Sequence, residues 1–268
     1  MTANRPVVLT IAGFDSSSGA GVTADIKTLA AHGCYGVAAI TALTVQSSLG
    51  VRRVEVIPDL LKETLSELAS DVQFAAVHIG MLGSGECANV VADFLTQNRP
   101  TNVILDPILR STSGTALLDN AGISVLVERL ISLSAVITPN LSEASVLTGL
   151  PVGNEEEMSL AAARLHEMGA DAVIITGGHL DQPADLLSRS HKSGFDQQFF
   201  LAERIRSKST HGTGCAFATS LACHLALGRD LVDATSLAKA FVREAIARAY
   251  TVGHGVGPIN HMHLLETK

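Results

Sequence analysis

The chain contains no tryptophan and only 4% aromatic residues among its 268 positions. Its interior must therefore be filled by Ala, Val, Ile and Leu, and a hydrophobic content of 47% supplies enough of them for a substantial core. Long apolar runs are also missing. Polar residues interrupt every run well short of the ~20 positions a membrane-spanning helix requires, so no membrane span is expected. Basic clusters are absent as well: 19 Lys and Arg are scattered against 26 Asp and Glu, for a net charge of -7. That leaves no electrostatic footprint for nucleic acid and makes small ligands the expected partners. Cysteine is sparse, and Cys34, Cys87, Cys215 and Cys223 form no C-x-x-C pair. With no secretory signal in view, a disulfide framework and a thiolate zinc site are both disfavoured, and a reduced, cytoplasmic protein is expected. The histidines are dispersed apart from His261 and His263, which read as part of a frayed tail. No linker, repeat or low-complexity stretch divides the chain, so a single domain over 1–268 is expected.

What is present is an alternation of β-rich runs and helical stripes. The run 7–11 ends in Ala12-Gly13, a flexible loop follows to Gly21, and Val22, Ile26, Leu29 and Ala30 then share one helical face closed by Gly33. The loop's Gly13, Gly19 and Gly21 lack the G-x-G-x-x-G spacing, which sets a dinucleotide fingerprint aside. Further strands are predicted over 37–45, 75–79, 103–106, 135–138 and 172–176, with 51–57 as an edge or flap strand. Helices are predicted from Pro58, with Leu60, Leu61, Thr64, Leu65 and Leu68 inward, and over 86–97, 120–130 and 155–169. A short helix follows Glu143, and a last one buries Ala234, Leu237, Ala238, Phe241, Ala245, Ile246 and Ala249. The polar, alternating stretch 181–209 reads as a hairpin region at the sheet edge. Repeated βα units argue for a mostly parallel sheet covered on both faces.

The stretch Thr210-His211-Gly212-Thr213-Gly214-Cys215 precedes a mostly apolar run to Leu227. Two glycines expose backbone N–H groups, and a helix starting there adds unpaired donors and a positive dipole end, so the stretch predicts a phosphate or oxyanion cradle. Cys215 falls in the first helical turn, where the field is expected to lower the thiol pKa and favour thiolate. In an open parallel sheet, ligands bind beyond the carboxyl ends of the strands. The residues 13–21, Gln46, Met81, Asp106, Asn140 with Glu143, and Gly177-Gly178 all follow predicted strands or open helices. Asp106 and Glu143 could hold a divalent metal through water, which suits magnesium.

These stretches together carry a resemblance. Ala12 to Gly21, Thr41-Ala42-Leu43-Thr44-Val45-Gln46, Ile79-Gly80-Met81-Leu82, Asp106-Pro107, Thr138 to Glu143, Gly177-Gly178-His179, Thr210 to Cys215 and Gly253 to Pro258 resemble the hydroxymethylpyrimidine/phosphomethylpyrimidine kinases of thiamine biosynthesis, within the ribokinase superfamily. Order and spacing match across nearly the whole chain. The resemblance implies a three-layer α/β/α ribokinase-like fold that phosphorylates an aminopyrimidine hydroxymethyl group, then the monophosphate, from Mg2+ and ATP, as a cytoplasmic homodimer. By similarity Cys215 removes the hydroxyl proton, and the N–H groups of Gly212 to Cys215, Gly214 included, stabilise the transferred phosphoryl group. Asp106 and Glu143 would hold the metal, and Asn140, Thr176, Gly178, Lys208 and Thr210 would face the nucleotide. Gly13, Ala20, Asp25, Gln46 and Met81 would line the pyrimidine site, with Asp25 and Gln46 reading its amino group and ring nitrogens.

Some positions depart from that pattern. Thr176 stands where a lysine is usual, Ser18 where glycine is usual, Phe14 where a small polar residue is usual and Thr23 where Gln is usual. The segment 108–114 also differs, and Arg110 or Lys208 could supply the missing charge. Alternative expectations are pyridoxal or pyridoxine kinase activity, a catalytically weak pyrimidine-binding paralogue, and a thiol hydrolase pairing Cys215 with His211.

Overall fold

A computed structural model describes residues 5–266 apart from Thr112, His179, Lys192 and Ser193, so the third residue of the Gly177-Gly178-His179 stretch lies outside the described residues. Its centre is a nine-stranded sheet in the order β3-β2-β1-β4-β5-β6-β7-β8-β9. β1 (Val7–Phe14) runs parallel to β2 (Tyr35–Ser47) on one side and to β4 (Ala76–Ile79) on the other, and β5 (Val103–Leu105), β6 (Val136–Ile137) and β7 (Ala172–Ile175) continue the parallel array. Antiparallel pairs finish both edges: β3 (Gly50–Val56) on β2, and the hairpin β8 (Ala184–His191) and β9 (Gly194–Leu201) on β7. The strand order reverses at β1, between β2 and β4, where a crevice opens at the carboxyl ends.

Alternate strand residues serve the two faces, as a pleated, doubly covered sheet requires. Leu9, Ile11, Val77, Ile79, Val103 and Leu105 pack on the side of α2 (Pro58–Asp71), α3 (Gly85–Asn98), α6 (Leu141–Thr148) and α7 (Glu155–Glu167). Val8, Ala76, Ile104, Val136 and Ile174 pack on the other side, against α1 (Gly21–Ala31), α8 (Thr213–Ala226) and α9 (Leu231–Ala247). The three-layer α/β/α architecture is therefore the one expected, with small Ala, Val, Ile and Leu side chains doing the filling. The 120–130 helix begins as α4 (Asn120–Val125) and passes through a π-helical turn, Leu126–Leu130, into α5 (Ile131–Leu133).

Three expectations about faces are corrected. In α1 the inward residues are Val22, Ala24, Asp25, Thr28 and Leu29, while Ile26 and Ala30 face out. An apolar count overlooked two polar residues on the buried stripe. Leu60 and Leu237 are exposed rather than inward. The C-terminal tail is not frayed: Asn260, His261 and His263 are buried, and the backbone N–H of Asn260 donates to the Ala245 carbonyl at 2.9 Å. Short β10 (Ser209–His211) and β11 (Gly257–Pro258) pair beside it, so the 253–258 loop ends in a strand that abuts the Gly-Thr-Gly-Cys stretch.

Candidate active site

The first glycine loop closes on Asp15. One carboxylate oxygen accepts from the Ser17 N–H at 2.8 Å and hydroxyl at 2.7 Å, and the other accepts from the Ala20 and Gly19 N–H groups at 2.9 and 3.2 Å. The imidazole Nε2 of His211 reaches the same second oxygen at 2.8 Å. Burial alone would raise the Asp15 carboxyl, but the hydrogen bonds from His211 and Ser17 outweigh it and hold it below its ordinary value. Ser18 adopts φ 63°, the left-handed region, which explains why glycine is usual at that position.

The second loop presses on the first. Gly212 has φ 87°, and a Cβ there would overlap the Gly19 carbonyl, while a Cβ on Gly19 would overlap the His211 ring. Both positions need glycine for this approach. Gly212 is the N-cap of α8, no side chain caps that end, and the first intrahelical bond runs from Ala216 N–H to the Gly212 carbonyl. The amides ahead of Ala216 are left for an anion, and Gly214 is exposed there.

Cys215 lies just inside this turn, but its thiol is not the activated one expected. Burial first, then the charges of Asp106 and Asp25, push its pKa well up, against a smaller lowering by a hydrogen bond with the Gly21 backbone. Desolvation and carboxylates outweigh the dipole of the helix end. His211 does not activate it either, since its Nε2 is committed to Asp15, which removes the thiol hydrolase arrangement.

Asp106 follows β5 with its Oδ2 buried and without a hydrogen-bond partner, directed toward Gly214, whose Cβ position would lie 3.8 Å away. Burial, then the charges of Glu143 and Asp25, raise its carboxyl well above the ordinary range. Burial likewise raises Glu143 to about 7. Glu143 and Asn140 close a capping box on α6, each side chain accepting from the other's backbone N–H, at 2.9 and 3.0 Å. Two buried carboxyls that repel each other, one with a free oxygen, suit a hydrated divalent cation that would neutralise both.

On the opposite wall, Met81 packs against Gly13, where a Cβ would stand 2.9 Å from its sulfur, and Thr41 donates to the Met81 carbonyl at 2.6 Å. Gln46 lies 3.3 Å from His211 Nε2, and Ala20 is half-buried beside Asp15. Asp25 does not join them. It is fully buried between α1, α8 and the sheet, its oxygens accept from Thr10 at 2.6 Å and Thr219 at 2.8 Å, and His78 Nδ1 is 3.4 Å away. With both oxygens engaged it is a core acid and not a ligand reader.

Among the residues expected to face a nucleotide, Thr176 donates its backbone N–H to the Pro139 carbonyl, bringing it beside Asn140. Gly178 is open to solvent, and Thr210 lies on β10. Neither proposed substitute cation reaches this turn through an observed contact. Arg110 donates to the Gly114 carbonyl of its own loop at 3.2 Å, and Lys208 is exposed, its carbonyl bonded to Gly257. Sequence reasoning missed Lys239, whose ammonium sits 2.5 Å from Asp185 Oδ2 while Asp185 Oδ1 accepts the Gly177 N–H at 3.0 Å. Nothing in its helical context marks it. Asp15 was equally overlooked, although an acid within a glycine loop is a natural acceptor for loop amides.

A model of the phosphomethylpyrimidine kinase family matches residues 15–260. The chain is 41% identical to the thiamine biosynthesis bifunctional protein ThiED of Geobacter sulfurreducens, covering 98% of this chain but 53% of that protein, so it spans about half of that relative. It is 40% identical to the hydroxymethylpyrimidine/phosphomethylpyrimidine kinase of Haemophilus influenzae, over 96% of this chain and 97% of that one. Among solved structures, an ADP complex of Bacillus subtilis pyridoxal kinase superposes with a TM-score of 0.88 at 31% identity, over 98% of this chain and 99% of that chain.

Proposed function

The chain belongs to the phosphomethylpyrimidine kinase family, and from that premise we propose that it acts as a single domain to transfer the γ-phosphoryl group of ATP to the hydroxymethyl oxygen of 4-amino-5-hydroxymethyl-2-methylpyrimidine, and then to the monophosphate. The carrying observation is the contact between the two glycine loops, which sets the wall of Gly13, Ala20, Gln46 and Met81 beside the free amides of α8. The hydroxymethyl oxygen bonds to the γ-phosphorus, the bond to the β-phosphate oxygen breaks, and ADP leaves. The amides of Gly212 to Cys215 face the charge that builds on the phosphoryl oxygens. Cys215, in the first turn of α8, is assigned to take the hydroxyl proton; burial first, then the charges of Asp106 and Asp25, hold its thiol protonated in the ligand-free chain. Asp106 and Glu143 would hold Mg2+, which supplies neutralising charge for the phosphates. Asn140, Thr176 and Gly178 would line the phosphate path, with the nucleoside over the open surface bordered by Pro183, Arg204 and Arg243.

A homodimer is part of the same proposal, with Leu43, Val45 and Leu49 as the apolar surface that β2 and its turn leave exposed. Light scattering should give twice the chain mass of 27.9 kDa. Pyridoxal phosphorylation is the second reading, favoured by the likeness to the Bacillus subtilis enzyme. Thr23, one of the residues that could have reshaped the pocket, spends its hydroxyl on the Asp15 and Ala20 carbonyls instead. Coupled ADP-release assays should give the higher kcat/KM with the hydroxymethylpyrimidine; a higher value with pyridoxal would reverse the assignment.

A further inference from the structure

Gln46 and His211 are 165 residues apart in sequence, yet they meet at the rim of the pocket, and their hydrogens can be assigned by elimination. The Asp15 carboxylate accepts at both oxygens, so the His211 Nε2 that approaches it at 2.8 Å must carry the proton, whether the ring is neutral or charged. The same nitrogen lies 3.3 Å from the Gln46 carboxamide Nε2. Two donors cannot face each other, and amide oxygen and nitrogen are assigned from such networks. Turning the carboxamide over lets its oxygen share the His211 proton with Asp15. Its NH2 then faces Thr44 Oγ1 at 3.3 Å. That hydroxyl is ready to accept, because its own hydrogen goes to the Phe14 carbonyl at 2.9 Å. The chain of bonds runs one way, with every donor matched to an acceptor. Gln46 is left with one free N–H beside one free carbonyl lone pair.

We propose that His211 is a specificity-determining positioning residue: by holding the Gln46 carboxamide in one of its two orientations, it selects a heteroaromatic ring that presents an amino donor next to a ring-nitrogen acceptor. The same imidazole ties this reading edge to the loop before α8, so the wall that recognises the ring and the turn that receives the phosphoryl group are set together. The inference rests on the pyrimidine reading above. It names what enforces selection at Gln46, which that reading leaves open.

The test compares equilibrium binding, by calorimetry without nucleotide, of 4-amino-5-hydroxymethyl-2-methylpyrimidine and of its 4-oxo analogue, which reverses donor and acceptor on the same ring. The unaltered protein should bind the amino compound more tightly. In His211→Phe, which keeps the ring volume and removes the proton, the preference should fall by about tenfold because the freed amide can serve either ligand. His211→Gln, which restores an N–H, should recover part of it. Thr44→Val removes the other anchor of the carboxamide and should relax the preference in the same direction, which keeps the test decisive if His211→Phe does not fold. A purely structural role would weaken both ligands equally and leave their ratio fixed, and that result in the variants would overturn the inference while the functional reading stands. Failure of the unaltered protein to bind either pyrimidine would instead remove the functional reading, and the inference with it.

Discussion

Asp15 and Asp106 follow β1 and β5 at the carboxyl end of the same sheet, and both side chains are almost completely buried. Asp15 is surrounded by donors: three from its own loop backbone, a hydroxyl and an imidazole. Asp106 has an oxygen with no partner and two other carboxylates close enough to raise it. Burial raises both carboxyls; the donors around Asp15 reverse the sign, whereas the carboxylates beside Asp106 add to it. The half of the crevice proposed for the substrate is complete within the chain. The half proposed for phosphate carries strain that positive charge from outside would relieve.

The largest expected effect comes from forcing apart the two glycine loops where Gly212 meets Gly19. Gly212→Ala forces a side chain into the Gly19 carbonyl and holds alanine at φ 87°. The left-handed backbone alone costs ~1–2 kcal/mol, and separation of the loops should reduce kcat/KM by ~100-fold or more. Steady-state kinetics with wild-type-like values would mean that the contact between the loops is incidental.

Next, the two aspartates should respond to the same substitution with opposite signs. Asp15→Asn places an NH2 against donors and should destabilise by ~1–3 kcal/mol. Asp106→Asn removes a buried charge that faces other carboxylates, so the ligand-free protein should melt at a higher temperature while phosphoryl transfer is lost. Thermal midpoints that move in the same direction for both variants would end the comparison.

The contrast also marks what the sequence made legible. Alternating β-rich runs and glycine punctuation placed the sheet, its edge hairpin and the two loops, because these depend on local periodicity and backbone freedom. The residues proposed for the site were placed at strand ends by the same rule. What periodicity could not supply was partnership. It placed Ile26 on the buried stripe of α1 and left Asp25 for the ligand, whereas Thr10, Thr219 and His78, from three other elements, draw Asp25 into the core. The thiol of Cys215 was misjudged for the same reason: the helix end is local, but burial, and then the charges of Asp106 just after β5 and Asp25 in α1, outweigh it.

A smaller effect separates the candidate cations. Lys239→Met should raise the ATP KM by ~10-fold with the pyrimidine KM unchanged, since Lys239 neutralises the Asp185 that holds the Gly177 turn. Arg110→Ala and Lys208→Ala should leave the ATP KM within about twofold. A larger effect from either would relocate the charge that Thr176 lacks.

Acid should loosen the finished half through His261, which lies beneath the second loop with its Nε2 3.2 Å from the position of a Gly212 Cβ. Burial, then the positive charge of Lys27, lower its pKa from 6.5 to about 4, with Asp25 opposing and His211 adding to the lowering. The unfolded chain thus binds more protons than the folded one between these values. Stability from this group is complete above 6.5 and is lost as the pH falls toward about 4. His261→Gln should flatten the fall in thermal midpoint across that window. An unchanged slope would assign the acid sensitivity to another group, such as His224, which burial also lowers to about 4.

The smallest effect lies in the loop that Asp15 closes. Ser18 holds φ 63° while its N–H donates to the Asp15 carbonyl at 2.9 Å and its own carbonyl accepts from Lys27 at 2.8 Å. Both bonds use the backbone, so Ser18→Gly keeps them and removes only the Cβ penalty of ~1–2 kcal/mol. Against this stands the greater freedom of glycine in the unfolded chain, worth ~0.5–1 kcal/mol. The balance favours the variant by less than ~1.5 kcal/mol, a rise of up to a few degrees in thermal midpoint for a chain of this size. Calorimetry that found Ser18→Gly less stable would mean the serine side chain contributes a contact that outweighs its strained backbone, and the substrate half would then be less completely explained by Asp15 and its donors.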